Sequence, residues 1–252
     1  MQLSIQHEGE FKYVEQGEGK ILMLLHGLFG ALSNFAGLID HFGHAYKIVV
    51  PILPIYDSKK FRPGINDLVD YVERFVAHKG YTQINLLGNS LGGHIAQLFT
   101  LRQQHLVKSL ILTGSSGLFE NSFGDTFPRR GDYEYIKNKT ALTFYDPNTA
   151  TKELVDEVYD IVNRLDYAIR VVSVAKSAIR YNMKDQLPAI KVPTLLIWGT
   201  HDNVTPPFVA DEFKKLLPNA QLIWMDKTGH APMMERPDEF NIHLAKFLSE
   251  QG

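Results

Sequence analysis

The chain has no cysteine among its 252 residues. That excludes disulfides, thiolate metal sites and a cysteine nucleophile. It also has no excess of one charge: 26 Lys and Arg against 28 Asp and Glu leave a formal net charge of −2. Arg129-Arg130 is a pair and not a basic block, so neither nucleic acid nor an anionic membrane is an expected partner. Long hydrophobic runs are missing too. The apolar run at residues 21–25 is far short of the roughly 20 residues that span a bilayer. Residues 1–8 show no basic stretch followed by an apolar core, so no signal peptide is expected and a cytoplasmic location is. None of the ten histidines forms an H-E-x-x-H or similar paired spacing, so no metal or cofactor is expected. What remains is an ordinary globular composition, 44% hydrophobic and 21% charged, long enough to bury a substantial core.

Short apolar runs alternate with amphipathic stretches. Residues 21–25, 47–50, 84–87, 110–112 and 194–198 read as strands buried on both faces, and 220–225 as a sixth. A half-exposed hairpin is expected near 3–5 and 11–14, joined across Gly9. Helical spacing covers 65–78, 94–104 and 237–250. Strands alternating with helices predict a mostly parallel sheet covered on both faces. The stretch 118–187 differs. It starts polar and turn-rich, then carries Leu154, Val155, Val158, Ile161 and Val162 on one helical pattern and Ile169, Val172, Val174, Ala175 and Ile179 on the next. It reads as a helical insertion between two strands.

Gly88-Asn89-Ser90-Leu91-Gly92 fits G-x-S-x-G, with a buried strand before it and a helix after it. That context identifies a nucleophile elbow: a strained backbone lifts the Ser90 hydroxyl out of the sheet, and small residues two positions away let strand and helix approach. His26-Gly27-Leu28-Phe29-Gly30 directly follows the strand at 21–25, where one oxyanion donor is expected. The backbone N–H groups of Leu28 and Leu91 are the expected pair, and His26 is expected to brace the loop. Asp202 follows the strand at 194–198, and His230 follows that at 220–225. The order Ser90, Asp202, His230 suits a nucleophile, an orienting acid and a general base; Asp202, not Asp226 or Glu235, is expected to hold His230.

On His26-Gly27, the elbow at Ser90, Gly199-x-x-Asp202, and Gly229-His230 followed by 235–240, the chain resembles the α/β-hydrolase superfamily over essentially its full length. The resemblance implies an α/β fold with an eight-stranded sheet whose second strand is antiparallel. It also implies a hydrolase core over 1–117 and 188–252, with a helical cap at 118–187. One departure stands out: where many relatives carry D-x-P-G-x-G-x-S, residues 52–58 read Ile-Leu-Pro-Ile-Tyr-Asp-Ser. A serine nucleophile argues against dehalogenase or epoxide-hydrolase chemistry and for a carboxylesterase acting on a small molecule. A C–C bond hydrolase of vinylogous diketones is the alternative. The Gly88–Gly93 and Gly114–Gly117 segments resemble that group, but Ala231 stands where it typically carries Trp. Its acidic substrates would need cations such as Arg164, Arg170 or Arg180. A ligand-binding receptor on the same fold is a further alternative. The pocket is expected to be apolar, lined by Phe29, Met233 and Met234 beside the catalytic groups, and by Phe119, Phe123, Phe127 and Phe144 from the insertion.

Overall fold

In the computed structural model, which describes residues 4–30, 32–121 and 129–251, the apolar runs at 21–25, 47–50, 84–87, 110–112 and 194–198 become interior strands of one sheet, whereas 220–225 forms its edge strand and is not buried on both faces, Trp224 being exposed. The strands are β1 (Gln6–Glu8), β2 (Phe11–Gln16), β3 (Lys20–Leu25), β4 (Tyr46–Pro51), β5 (Ile84–Asn89), β6 (Val107–Thr113), β7 (Thr194–Gly199) and β8 (Ala220–Met225). Their spatial order is β1-β2-β4-β3-β5-β6-β7-β8. β2 runs antiparallel to both neighbours, and every other pairing is parallel. This is the α/β architecture expected from the sequence.

The helices are α1 (Ala36–Phe42), α2 (Ile65–Lys79), α3 (Leu91–Arg102), α4 (Tyr133–Ala141), α5 (Lys152–Asn163), α6 (Leu165–Arg180), α7 (Pro207–Leu216), α8 (Pro232–Glu235) and α9 (Pro237–Glu250). Alternation along the strands feeds two separate cores. In β3, Met23 and Leu25 face the layer of α2, α3 and α7, while Leu22 and Leu24 face α1 and α9. Among the described residues no helix is long and apolar enough to cross a membrane.

Two local expectations shift. The first strand lies at Gln6–Glu8 and not at 3–5, because a two-residue turn with Gly9 at φ 59° pairs Glu8 with Phe11. Ile5, the apolar cue, is exposed. In α6 the buried face is Val171, Val174, Ala175 and Ala178, whereas Ile179 points to solvent. Val171 and Val174 pack into the core with α2 and α3, while Ala175 and Ala178 border the cavity described next.

α4, α5 and α6 all lie between β6 and β7 in the chain. Asp132 caps α4 by accepting the Tyr135 amide at 3.0 Å, and Thr151 caps α5 by accepting the Leu154 amide at 3.3 Å.

Candidate active site

β5 ends at Asn89, and Ser90 follows with φ 55° and ψ −123°. A side chain rarely adopts such a φ, and the conformation costs about 1–3 kcal/mol unless the surroundings hold it. Here they do. The Ser90 amide donates to Thr113 O (3.2 Å), and its carbonyl accepts from Gly93 (3.0 Å), His94 (3.2 Å) and Ser116 (3.1 Å). The elbow closes because two neighbours lack side chains. A Cβ on Gly88 would lie 2.4 Å from Gly92 O, and one on Gly92 would lie 2.0 Å from Leu25 O. β3, β5 and α3 therefore meet backbone to backbone.

The loop after β3 lies against this elbow: a Cβ on Gly27 would sit 3.2 Å from Ser90 Cβ. His26 is buried and braces the loop, donating from Nδ1 to Gly27 O (2.9 Å) and accepting the Leu53 amide at Nε2 (3.1 Å). Burial pushes its pKa below the usual 6.5, so it stays neutral. Leu28 N–H has no hydrogen-bond partner among the described residues. Leu91 is the first residue of α3, where amides lack intrahelical acceptors.

Asp202 follows β7 and is 2% exposed. Its Oδ1 accepts the amides of Val204 and Thr205, both at 2.8 Å, and its Oδ2 accepts the Thr205 hydroxyl at 2.8 Å. Trp198 Nε1 donates to Thr205 O at 2.8 Å and so steadies that turn. His230, after β8, directs Nδ1 to Asp202 Oδ2 at 2.9 Å and Oδ1 at 3.1 Å. Burial pushes the His230 pKa down, but the charge and hydrogen bond of Asp202 outweigh it, and the net shift is upward from 6.5.

The rival carboxylates do other work. Asp226 accepts from Thr200 Oγ1 (3.2 Å). Glu235 accepts the amides of Gly229 and Tyr145, each at 2.7 Å, and His230 N–H donates to Thr143 O at 2.9 Å. These bonds staple the His230 loop to the segment after α4. Asn89 Nδ2 adds bonds to Thr113 O (3.0 Å) and His230 O (3.2 Å). Asn89, Thr205 and Glu235 escape a motif reading, since Asn89 fills a variable slot of G-x-S-x-G. Glu235 does stand at the head of the 235–240 stretch that carried the resemblance.

Ser90 and His230 open onto one cavity of about 340 Å³. Leu28, Phe29, Leu91, Phe144 and Met234 line it, as do Leu154, Val158 and Val162, which share one face of α5, and Ala175 and Ala178 of α6. Phe119 does not: it is exposed and packs on Phe208 with ring centroids 5.4 Å apart. Met233 does not either, because it is 2% exposed and packs in the core with Phe240 and Leu244. Phe123 and Phe127 lie outside the described residues. The polar lining includes Asn34, Glu120 and Lys139. Arg164, Arg170 and Arg180 are not among the lining residues: Arg164 lies over the Tyr167 ring and Arg170 bonds to Asp166 O at 3.1 Å. Among the described residues no group of three or more His, Cys, Asp or Glu could hold a metal ion.

A profile of the alpha/beta hydrolase fold family matches residues 20–237. The chain is similar to the solved structure of MGS-MChE2, an alpha/beta hydrolase enzyme from the metagenome of lagoon sediments at Mar Chica, Morocco. Identity is 43%, with a TM-score of 0.81 over 98% of this chain and 99% of that one. It is 26% identical to Lipase 1 of Psychrobacter immobilis over 94% of this chain and 80% of that protein. It is also 29% identical to a 2-hydroxy-6-oxononadienedioate/2-hydroxy-6-oxononatrienedioate hydrolase of Paraburkholderia phymatum, over 94% of this chain and 90% of that protein.

Proposed function

The chain belongs to the α/β-hydrolase family, and from that premise we propose that it is a serine hydrolase that cleaves a small to medium carboxylic ester through an acyl-enzyme. One observation carries the reading. Ser90, held in a strained elbow, shares a cavity with His230, and His230 is bonded through its far nitrogen to the buried Asp202.

In the first half-reaction Ser90 Oγ attacks the ester carbonyl carbon while His230 Nε2 takes its proton. Asp202 keeps the other proton on Nδ1 and stabilises the imidazolium. The N–H groups of Leu28 and Leu91 receive the oxyanion. Collapse expels the alcohol, which leaves with the proton from His230. Water then attacks the acyl-enzyme with His230 again as base, and a carboxylic acid departs. α4 to α6 act as the cap over this chemistry. A cavity of about 340 Å³ is at the small end of ligand sites, and its aliphatic walls favour short apolar acyl or alcohol groups at about 25 cal/mol per Å² buried.

C–C bond hydrolysis is the second reading. The likeness to the Paraburkholderia phymatum enzyme and the cation Lys139 in the cavity favour it. The positions of Arg164, Arg170 and Arg180 away from the cavity, and Ala231, favour the ester. The test compares kcat/KM for p-nitrophenyl esters of increasing acyl length with that for a 2-hydroxy-6-oxo-dienoate. The short esters are expected to win; a dienoate preference above about a hundredfold would make C–C hydrolysis the function.

A further inference from the structure

Residues 52–58, where the D-x-P-G-x-G-x-S pattern is lost, hold a tie to the oxyanion loop. The Tyr56 hydroxyl donates to Leu28 O at 2.7 Å. Its ring stacks on Tyr167 of α6, with centroids 5.1 Å apart and planes 20° from parallel. The Arg164 guanidinium lies 3.5 Å from the centre of the Tyr167 ring. Burial raises the Tyr56 pKa well above its usual value, so the hydroxyl remains a donor across the working pH range.

Leu28 sits between two planar, trans peptide units. The unit before it carries the Gly27 carbonyl, which accepts from His26 Nδ1 (2.9 Å) and from Gly30 N–H (3.1 Å). The unit after it carries the Leu28 carbonyl, which accepts from Tyr56. His26 thus anchors one side of the Leu28 Cα and Tyr56 the other. An oxyanion donor works only when it is already aimed at the developing charge, so anchoring on both sides is what such a donor needs. His26 belongs to the motif the family shares; Tyr56 comes from the loop where this chain departs from it.

We propose that Tyr56 is a positioning residue for the oxyanion donor at Leu28, and that its stack on Tyr167 ties that donor to α6, the helix whose Ala175 and Ala178 line the cavity. The proposal rests on the serine-hydrolase reading. Its consequence is that a substrate packed against α6 is read at the oxyanion loop.

The test is Tyr56→Phe, which removes one oxygen and keeps the ring on Tyr167. Losing an oxyanion donor outright costs about 10² to 10³ in kcat, so a donor that has lost one anchor is expected to cost about ten- to a hundredfold. KM for p-nitrophenyl butyrate should stay within about twofold, because the oxyanion exists only in the transition state. Inhibition by a trifluoromethyl ketone, whose adduct carries the oxyanion, should weaken by the same factor as kcat. Tyr167→Leu keeps the hydroxyl and loses the stack; it should lower kcat in the same pattern by a smaller factor. Tyr56→Phe with kcat within about twofold of wild type, or with the change confined to KM, overturns the proposal. Wild-type labelling by a fluorophosphonate separates the two claims. If Ser90 labels and Tyr56→Phe is fully active, the Tyr56 role alone falls; if Ser90 does not label, the serine-hydrolase reading falls and takes Tyr56 with it.

Discussion

Replacing Asp202 by Asn changes one atom of a carboxylate that is 2% exposed. Oδ1 accepts two backbone amides, from Val204 and Thr205, so the Asn side-chain oxygen must occupy that place. Its NH2 group then faces the Thr205 hydroxyl and His230 Nδ1 in the position of Oδ2. The hydroxyl can turn and accept. The ring nitrogen can accept only by giving up its proton, which moves the proton to Nε2, where it blocks the uptake of the Ser90 proton. In the well-studied serine proteases this exchange lowers kcat about 10⁴-fold, or about 5 kcal/mol, and a loss of that order is expected here. A second signature has a definite sign. Burial pushes the His230 pKa down, and Asp202, joined by smaller contributions from the charges of Glu120 and Glu235, raises it above 6.5. In wild type the limb of kcat/KM against pH should therefore lie above about 6.5; in Asp202→Asn it should move to lower pH. The assay is initial-rate hydrolysis of p-nitrophenyl butyrate from about pH 5 to 9, with circular dichroism confirming the fold. A variant within about tenfold of wild type, or an unshifted limb, would refute the assignment.

Glu235→Ala removes the acceptor of the Gly229 and Tyr145 amides that staple the His230 loop. It should lower both Tm and kcat, with a loss of about 1.5–3 kcal/mol in urea unfolding; an unchanged kcat would separate the staple from catalysis. Gly92→Ala sets a Cβ 2.0 Å from Leu25 O, which is backbone and cannot yield. It should cost at least the upper end of the roughly 1–3 kcal/mol of overpacking and lower Tm by about 6 °C or more, and a wild-type Tm would contradict the close approach. His94 is fully buried beside Tyr181, and burial pushes its pKa down to about 3. The unfolded chain takes up the proton below about pH 6.5 while the native state does not, so stability falls as pH drops from there toward 3. Between about pH 7 and 5 this amounts to about 2 kcal/mol, and His94→Leu should lose about that much less in urea unfolding over the same range; equal losses would remove His94 as the cause.

Much of the fold is legible because it rests on local pattern. Short continuous apolar runs between helical stretches read as strands, five of them buried on both faces, and the chain order Ser90, Asp202, His230 follows from where those strands end. The misses have long-range causes. The register of β1 is set by the turn at Gly9 and not by the apolar Ile5. Which face α6 buries depends on the neighbours it packs against, the core for Val171 and Val174 and the cavity for Ala175 and Ala178. An aromatic such as Phe119 reads the same whether it lines a pocket or packs on Phe208 outside it. Tyr56 and Glu235 act through bonds to Leu28, Gly229 and Tyr145, some of them far along the chain, and composition and spacing carry no trace of a partner's position.

The central claim is that Ser90 is the nucleophile, and covalent capture tests it most directly. The purified chain is treated with a fluorophosphonate and its intact mass and peptide map are recorded, with Ser90→Ala alongside. One adduct per chain is expected, on the peptide that contains Ser90, and none in Ser90→Ala. Labelling that persists in Ser90→Ala, or an adduct mapped to another residue, would contradict the account.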